Sequence, residues 1–303
     1  MSKKPRQFVS FDWAMKKLLR SKANFDVLEG FLSELLKDDI SIQEILESES
    51  NKDDALDKYN RVDLLVKDSR DQRVIIEVQY VREVDYFQRM LFGTSRVISE
   101  NIDEGEAYGD ICKVISVNIV WFDLGQGEDY VYIGSTRFKG MHAHDVLELS
   151  ESQKSLFERQ HVSDIFPDYY ILKVNQFDNT AKDGLDEWLY FLKNEEIRSD
   201  FHAKGLAAAQ EKLNIMKLSD EERVAYRQYE DDRRWQVSRM KYSVQRAEQA
   251  EEKLAQTQTL LMTEQKEKEE ERRQKEEVLK LALEALTDAG IPEAKARKQL
   301  GLD

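Results

Sequence analysis

Two short apolar segments that carry acidic residues constrain the fold of this chain more than any other feature of its sequence. Residues 61–66 and 73–80 are rich in Val, Ile and Leu, and the polar segment 68–72 separates them. Apolar, β-branched runs on either side of a turn-like segment are typical of a hairpin in the interior of a sheet. Such strands normally exclude carboxylates, yet these two carry Asp63 and Glu77.

The register of this hairpin decides whether the two carboxylates meet. Side chains alternate along a strand, so Glu77 and Gln79 share one face. An antiparallel register that pairs Lys67 with Arg73 puts Asp63 directly opposite Glu77, with Cβ atoms about 5 Å apart. Two carboxylates this close repel each other unless one binds a proton or a cation bridges them.

A divalent cation suits this pair of carboxylates. Mg²⁺ prefers oxygen ligands and usually keeps several of its waters. Bound between Asp63 and Glu77, it would polarise a phosphate and activate a water, which Gln79 is placed to orient but not to deprotonate. The alternative is that Asp63 and Glu77 are ordinary residues on the solvent face of an edge hairpin.

The rest of the first 200 residues alternates between helical and strand patterns. Asn24 is suited to cap a helix that runs through Leu36. The strand at 130–134 is predicted to be the sheet neighbour of the strongly apolar strand at 114–122. Further strands are predicted at 40–46 and 169–174, and further helices at 11–20, 84–105 and 183–192.

The C-terminal third has a different composition. From Val237 it consists mainly of Glu, Lys, Gln, Arg and Ala, which predicts a long solvated helix that breaks at Gly290. We therefore expect a domain at 1–200, a helical extension and candidate coiled coil at 201–285, and a short helix at 286–303. Apolar positions are too sparse for a continuous seam, so two alternatives stay open: a homo-oligomer formed through these helices, or flexible linkage to the last helix.

Charge and composition limit the partners of the chain. The net charge of −14 opposes nonspecific binding to polyanions, so a DNA-binding surface must be local. The sequence has no apolar run of membrane-spanning length and no apolar segment after its N-terminus, which predicts a cytoplasmic protein without membrane contact. Its one cysteine, Cys112, lies in an apolar run and is expected to be a buried structural thiol.

The hairpin motif resembles the signature of PD-(D/E)XK nucleases. In that signature an Asp is followed by a turn and then by an acidic residue in an apolar strand, as in Asp63 and Glu77-Val78-Gln79. Gln79 stands in the place of the usual Lys. The E-x-Q form is similar to that of the PD-(D/E)XK family transposases, also called recombination-promoting nucleases.

Three further motifs carry the same resemblance. Residues 12–16 resemble the N-terminal D-x-x-F-K element of that family, with Met15 in the Phe position. Arg89 matches an Arg on the helix that follows the hairpin, and Gly105 to Tyr108 matches a G-x-x-Y element. The resemblance covers about the first 200 residues.

The resemblance implies both a fold and an activity. The expected fold is α/β, a restriction-endonuclease-like core with a mixed central sheet flanked by helices and followed by the long charged helical extension. The expected activity is that of a Mg²⁺-dependent DNA endonuclease with a transposase-like or recombination-promoting role, in which Mn²⁺ is expected to substitute. Asp63, Glu77 and the Val78 carbonyl would surround the metal, with Gln79 beside them as the third catalytic residue.

Four more residues are candidates for DNA binding or support. Asp12 would add an acidic group and Lys16 would meet phosphate, although an early acid and late base equally suit the dipole of the first helix. Arg89 would reach a phosphate or hold Glu77 in a bidentate pair, or is simply a surface Arg. Tyr108 completes the set. The competing hypothesis is a noncatalytic protein that keeps the nuclease fold and binds a partner through its C-terminal helices.

Overall fold

The structure, a computed structural model, describes residues 7–46, 63–102 and 107–302. In this part of the chain the strands are β1 (Ile42–Leu46), β2 (Leu64–Asp68), β3 (Arg73–Gln79), β4 (Val114–Val120), β5 (Val131–Gly134) and β6 (Asp168–Lys173). The α-helices are α1 (Phe11–Lys17), α2 (Phe25–Leu36), α3 (Tyr86–Glu100), α4 (Glu151–Phe157), α5 (Gly184–Asn194), α6 (Leu206–Lys212), α7 (Asp220–Asp288) and α8 (Glu293–Gln299).

The six strands form one mixed sheet in the order β1-β2-β3-β4-β6-β5. β3, β4 and β6 are parallel, while β1, β2 and β5 join by antiparallel pairing. Every residue of β4 is buried, as expected for a parallel strand covered on both faces. This mixed sheet with flanking helices and a long C-terminal helix confirms the predicted fold class.

The predicted pairing of β5 with β4 is wrong. β6 lies between them, parallel to β4 and antiparallel to β5, so that Leu172 has Ile119 on one side and Val131 on the other. β4 is buried along its whole length and has a strand on each side. β5 has four residues, none of them buried, and therefore suits the sheet edge.

The predicted capping role of Asn24 is also wrong. Asn24 occupies the N-cap position of α2, but its side chain makes no capping hydrogen bond there. Its amide Nδ2 instead donates to the carbonyl of Leu18, just after α1, at 2.7 Å. The residue thus satisfies the end of the first helix rather than the start of the second.

The chain folds into two compact units, residues 1–233 and 234–303. The core of the first unit includes apolar side chains of α6 and the segment after it, namely Leu206, Ala209, Leu213 and Leu218. It therefore uses residues beyond the boundary predicted near residue 200. The three-part division at 200 and 285 stays a prediction.

In the second unit, a glycine ends the long charged helix α7. Gly290 has a φ of 85°, and its N–H donates to the carbonyl of Thr287 at 2.9 Å. The N–H of Ile291 donates to the carbonyl of Leu286 at 3.1 Å, which completes a Schellman motif. Among the described residues no helix is long and apolar enough to cross a membrane.

Close approach of two glycines in the first unit gives a stability prediction. A Cβ added at Gly30, inside α2, would overlap the Cα of Gly205 and the carbonyl oxygen of Lys204. Both obstacles are backbone atoms that cannot rotate away. We expect Gly30→Ala to lower the free energy of unfolding by about 1–3 kcal/mol, measured by urea denaturation.

Gly109→Ala is the matched control. A Cβ at Gly109 would lie 3.6 Å from a ring carbon of Phe157, an ordinary van der Waals contact. Its unfolding free energy should stay within about 0.5 kcal/mol of the parent. Equal stability of the two variants would contradict the close approach of α2 and α6.

Candidate active site

The hairpin register puts the two predicted carboxylates, of Asp63 and Glu77, at opposite positions of neighbouring chain segments. β2 and β3 pair Lys67 with Arg73, as predicted, and stay in this register as far as Leu64. Asp63 directly precedes Leu64, so continuation of the register puts it opposite Glu77. Residues 61 and 62, which were predicted to begin this strand, lie outside the described residues.

Hydrogen bonds hold both the side chain and the backbone of Asp63. Its Oδ2 accepts a hydrogen bond from the backbone N–H of Val78 at 2.7 Å. Its backbone carbonyl accepts one from Nη2 of Arg20, which follows α1, at 2.9 Å. The carboxylate is therefore hydrogen-bonded to the peptide group of β3 that joins Glu77 and Val78.

The backbone carbonyl of Val78 faces the same side of β3 as Asp63. The next carbonyl, that of Gln79, accepts a hydrogen bond from Trp121 N–H on the β4 side at 3.1 Å. Successive carbonyls of a strand point in opposite directions. The Val78 carbonyl thus points toward β2, and it adds a third oxygen donor to the carboxylates of Asp63 and Glu77.

Glu77 lies beneath α3 and is largely buried, with 12% of its side chain exposed. Its Oε2 is 3.5 Å from Nη2 of Arg89. Arg89 makes closer contacts with Glu83, because its Nη1 donates to Oε1 at 2.8 Å and to Oε2 at 3.0 Å. The predicted bidentate pair of Arg89 with Glu77 is therefore replaced by a strong pair with Glu83 and a weak contact with Glu77.

Electrostatics keep Arg89 charged in this position. Burial lowers the pKa of its guanidinium, but the negative charges of Glu77 and Glu83 outweigh burial and raise the pKa above its usual value. A cation that is shared by two carboxylates offsets part of their repulsion. The ion pair thereby makes the burial of Glu77 tolerable in this structure.

Gln79 points to the same face as Glu77. Its amide Nε2 donates to Glu83 Oε1 at 2.8 Å and to the carbonyl of Val81 at 3.1 Å. An amide nitrogen offers two donors, and these two bonds use both. Its Oε1 is then the atom with which Gln79 can orient a water.

Sequence reasoning missed Glu83 and Tyr86. Glu83 lies in the irregular segment between β3 and α3, where no periodicity marks it. Tyr86, only 1% exposed, donates its hydroxyl to Oδ1 of Asn118 at 3.2 Å. A small cavity of about 10 Å³, room for about one water, opens beside Tyr86. Its polar lining is formed by Glu77, Tyr86, Arg89, Thr94, Ser116 and Asn118.

Asp12 lies apart from this group. It is 4% exposed, and its carboxylate accepts a hydrogen bond from the hydroxyl of Tyr229 in α7. Burial and the charge of Asp12 raise the pKa values of both Tyr80 and Tyr229. Tyr80 follows Gln79 and points to the other face of the sheet, so Asp12 packs behind the strand that carries Glu77.

The remaining candidates are Lys16 and Tyr108. Lys16 lies in α1, but its side chain is outside the described part of the chain. Tyr108 is 88% exposed and precedes β4 at the end of the sheet where Val114 pairs with Arg73. That end lies four residues away from Glu77 along β3. Gly105 of the same motif is outside the described residues.

The donor set of the site fits a hard divalent cation. Two carboxylates, of Asp63 and Glu77, and the Val78 carbonyl present oxygen atoms from adjoining parts of the hairpin. The residues that the structure describes contain no group of three His, Cys, Asp or Glu side chains that would form a metal site. The oxygen donors named above are of the kind that hard cations such as Mg²⁺ prefer, whereas structural zinc sites are built mainly from Cys and His.

Comparison with known proteins agrees with the motif resemblance. The model of the PD-(D/E)XK nuclease family transposase matches residues 9–243 of the chain. Neither the curated proteins nor the solved structures contain a significant match. The matched range contains the whole sheet, including the hairpin with Asp63 and Glu77, and the beginning of α7.

The buried phenol of Tyr86 gives a pH prediction. Burial, and then the charge of Glu77, raises its pKa well above the usual value near 10. The fold therefore favours the neutral phenol, so its contribution to stability is complete below about pH 10 and is lost as the pH rises further. Between pH 9 and 11 the free energy of unfolding should therefore fall less steeply in Tyr86→Phe than in the parent. We expect the two slopes to differ by up to about 1.4 kcal/mol per pH unit.

Chemical denaturation across this pH range tests the difference. At pH 7 the same variant should be less stable by about 1 kcal/mol, because the hydrogen bond to Asn118 is lost. Tyr108→Phe removes a phenol that is 88% exposed and serves as the control variant. If the free energy of unfolding changed equally with pH in Tyr86→Phe and in the parent, the raised pKa of Tyr86 would be refuted as the cause.

Proposed function

Because the chain belongs to the PD-(D/E)XK nuclease family transposases, we propose that it is a Mg²⁺-dependent DNA endonuclease with a transposase-like or recombination-promoting role. The observation that carries this proposal is the hydrogen bond between the Asp63 carboxylate and the Val78 N–H, in a register that opposes Asp63 to Glu77. Nuclease families of this type generally use divalent metal ions, and the oxygen donors described above suit Mg²⁺, with Mn²⁺ as a substitute.

The metal ligands in this proposal are Asp63, Glu77 and the carbonyl of Val78. A bound divalent cation supplies Lewis-acid polarisation of the scissile phosphate. The hydrogen bond from Val78 N–H orients the Asp63 carboxylate, and the hairpin register sets its position relative to Glu77. Glu77 thus lies within β3, and the carboxylate of Asp63, which directly precedes β2, is hydrogen-bonded to β3.

Gln79 takes the place of the usual catalytic Lys. Its Oε1 can accept a hydrogen bond from the attacking water and align it, but an amide cannot remove a proton. It also lacks the positive charge with which a Lys would stabilise developing negative charge. We therefore expect slow turnover compared with an enzyme that has Lys at this position.

DNA contacts are assigned to basic residues close to Asp63. Arg20 reaches the Asp63 carbonyl, so the end of α1 lies beside the site, and Lys17 and Arg20 are exposed there. Together with Lys16 and Arg89 they would meet phosphate oxygens. A local basic group is required because the net charge of −14 repels DNA elsewhere.

The second candidate function is noncatalytic: a nuclease fold that binds a partner through its C-terminal helices. It is favoured by Gln79 in place of Lys and by the contact of Arg89 with Glu77, which partly neutralises a metal ligand. Isothermal titration calorimetry separates the two candidates. Binding of Mg²⁺ or Mn²⁺ that Asp63→Asn weakens supports the nuclease, and no binding supports the partner protein.

Asp63→Ala is the direct test of the nuclease. Loss of one of only two carboxylate ligands should lower the rate of plasmid cleavage in Mg²⁺ by at least about 100-fold. Gel electrophoresis of supercoiled, nicked and linear plasmid measures the rate. A fully active Asp63→Ala variant would exclude this site as the catalytic centre.

Two variants keep this test interpretable. Asp63→Asn retains an acceptor for the Val78 N–H and should be folded but inactive. Asp110→Ala removes an exposed acid from the other end of the sheet and should cleave at the parental rate. Circular dichroism and thermal unfolding show whether each variant keeps the native fold.

A further inference from the structure

Glu83 receives hydrogen bonds from two residues of the candidate site but has no role in the scheme above. It lies between β3 and α3, with 29% of its side chain exposed. Gln79 donates one hydrogen bond to it and Arg89 donates two. A carboxylate that accepts three hydrogen bonds from two neighbouring side chains fixes the relative positions of both.

The distances show which carboxylate controls Arg89. Its Nη1 lies 2.8 and 3.0 Å from the oxygens of Glu83, the range of strong charge-assisted hydrogen bonds. Its Nη2 lies 3.5 Å from Glu77, at the limit for a hydrogen bond. Glu83 is therefore the main anchor of the guanidinium. Without it, Arg89 would pair closely with Glu77 and compete with a metal cation for that carboxylate.

The same carboxylate fixes the orientation of the Gln79 amide. An ionised carboxylate only accepts hydrogen bonds, so the amide must turn its NH₂ group toward Glu83. The 2.8 Å bond from Nε2 to Glu83 Oε1 has this orientation. The Oε1 atom of Gln79 then points away from Glu83 and can accept a hydrogen bond from a water.

We propose that Glu83 is a positioning residue of this site: it anchors Arg89 so that the guanidinium contacts Glu77 only weakly and competes less with a divalent cation, and it turns Oε1 of Gln79 toward water. This inference rests on the proposed nuclease function. It accounts for a Gln in the Lys position, since an acceptor-only neighbour gives the amide one defined orientation. It also assigns Arg89 a position that depends on a residue outside the family motifs described above.

Mn²⁺ binding to the full-length protein tests the proposal without relying on cleavage. Isothermal titration calorimetry would compare the parent, Glu83→Gln, Arg89→Gln and the double variant. Glu83→Gln should raise the dissociation constant by about 10-fold, because Arg89 then pairs with Glu77. In the Arg89→Gln background the same substitution should change the constant little, because no guanidinium is left to compete.

The parent, the two single variants and the double variant form a double-mutant cycle, which also distinguishes positioning by Glu83 from simple attraction of the cation by its charge. If Glu83 only attracted the cation through space, its removal would weaken binding equally in both backgrounds, and the proposal would be wrong. Unchanged binding by Glu83→Gln would also overturn it. Glu83→Asp keeps the charge on a shorter side chain and should bind with intermediate affinity; a larger loss than in Glu83→Gln would count against the proposal.

Glu100→Gln is the matched control. It breaks an Arg–Glu pair with Arg96 at the other end of α3 and should leave Mn²⁺ affinity unchanged. Failure of the proposed function has a different signature, since the parent itself would then bind no Mn²⁺. Binding by the parent together with equal affinity of Glu83→Gln would refute the positioning role alone.

Discussion

The hydrogen bond from the Val78 N–H to the Asp63 carboxylate is the contact on which the candidate site depends. Leu64 is the first of the described residues to pair with β3, and the carboxylate of Asp63, directly before it, accepts a hydrogen bond from the Val78 N–H. A side chain that accepts from a strand N–H satisfies a backbone donor and is itself held in place. The acidic residue is thus part of the hairpin's hydrogen bonding, and its position follows from the strand register.

Alternation along β3 separates two environments within a few residues. Glu77 and Gln79 lie under α3 with Arg89 and Glu83, whereas Val78 and Tyr80 face the main core. On the core side, Tyr80 stacks on Trp121 with ring centroids 4.2 Å apart, and the Arg233 guanidinium lies 5.2 Å from the Tyr80 ring. The first turns of α7 therefore support the same strand that carries the acidic residues, which explains why the first compact unit continues to residue 233.

Charge balance limits what this face can hold. Glu77 and Glu83 share Arg89 as a counter-charge, and Asp63 lies opposite Glu77 in the hairpin register. A buried or half-buried carboxylate without a counter-charge is costly, so the ion pair and a bound cation are alternative ways to stabilise Glu77. This competition makes the geometry of Arg89 important for any function that needs a metal.

The sequence alone determined the hairpin, its register and the shared face of Glu77 and Gln79. These follow from a short turn and from the two-residue period of a strand, both of which act over a few residues. The same local rules predicted α3 and the long charged helix that ends at Gly290. Family resemblance, which the match to residues 9–243 confirms, supplied the overall architecture.

Only the tertiary structure decided how distant segments meet. It inserted β6 between β4 and β5 and placed Asp12 behind the strand rather than beside Asp63. It also decided how the irregular segment between β3 and α3 brings Glu83 against its near neighbours Gln79 and Arg89. No periodicity marks a residue such as Glu83 in an irregular segment. Its partners are set by how α3 packs on the sheet, and that packing depends on the burial of all the apolar faces at once rather than on any local pattern.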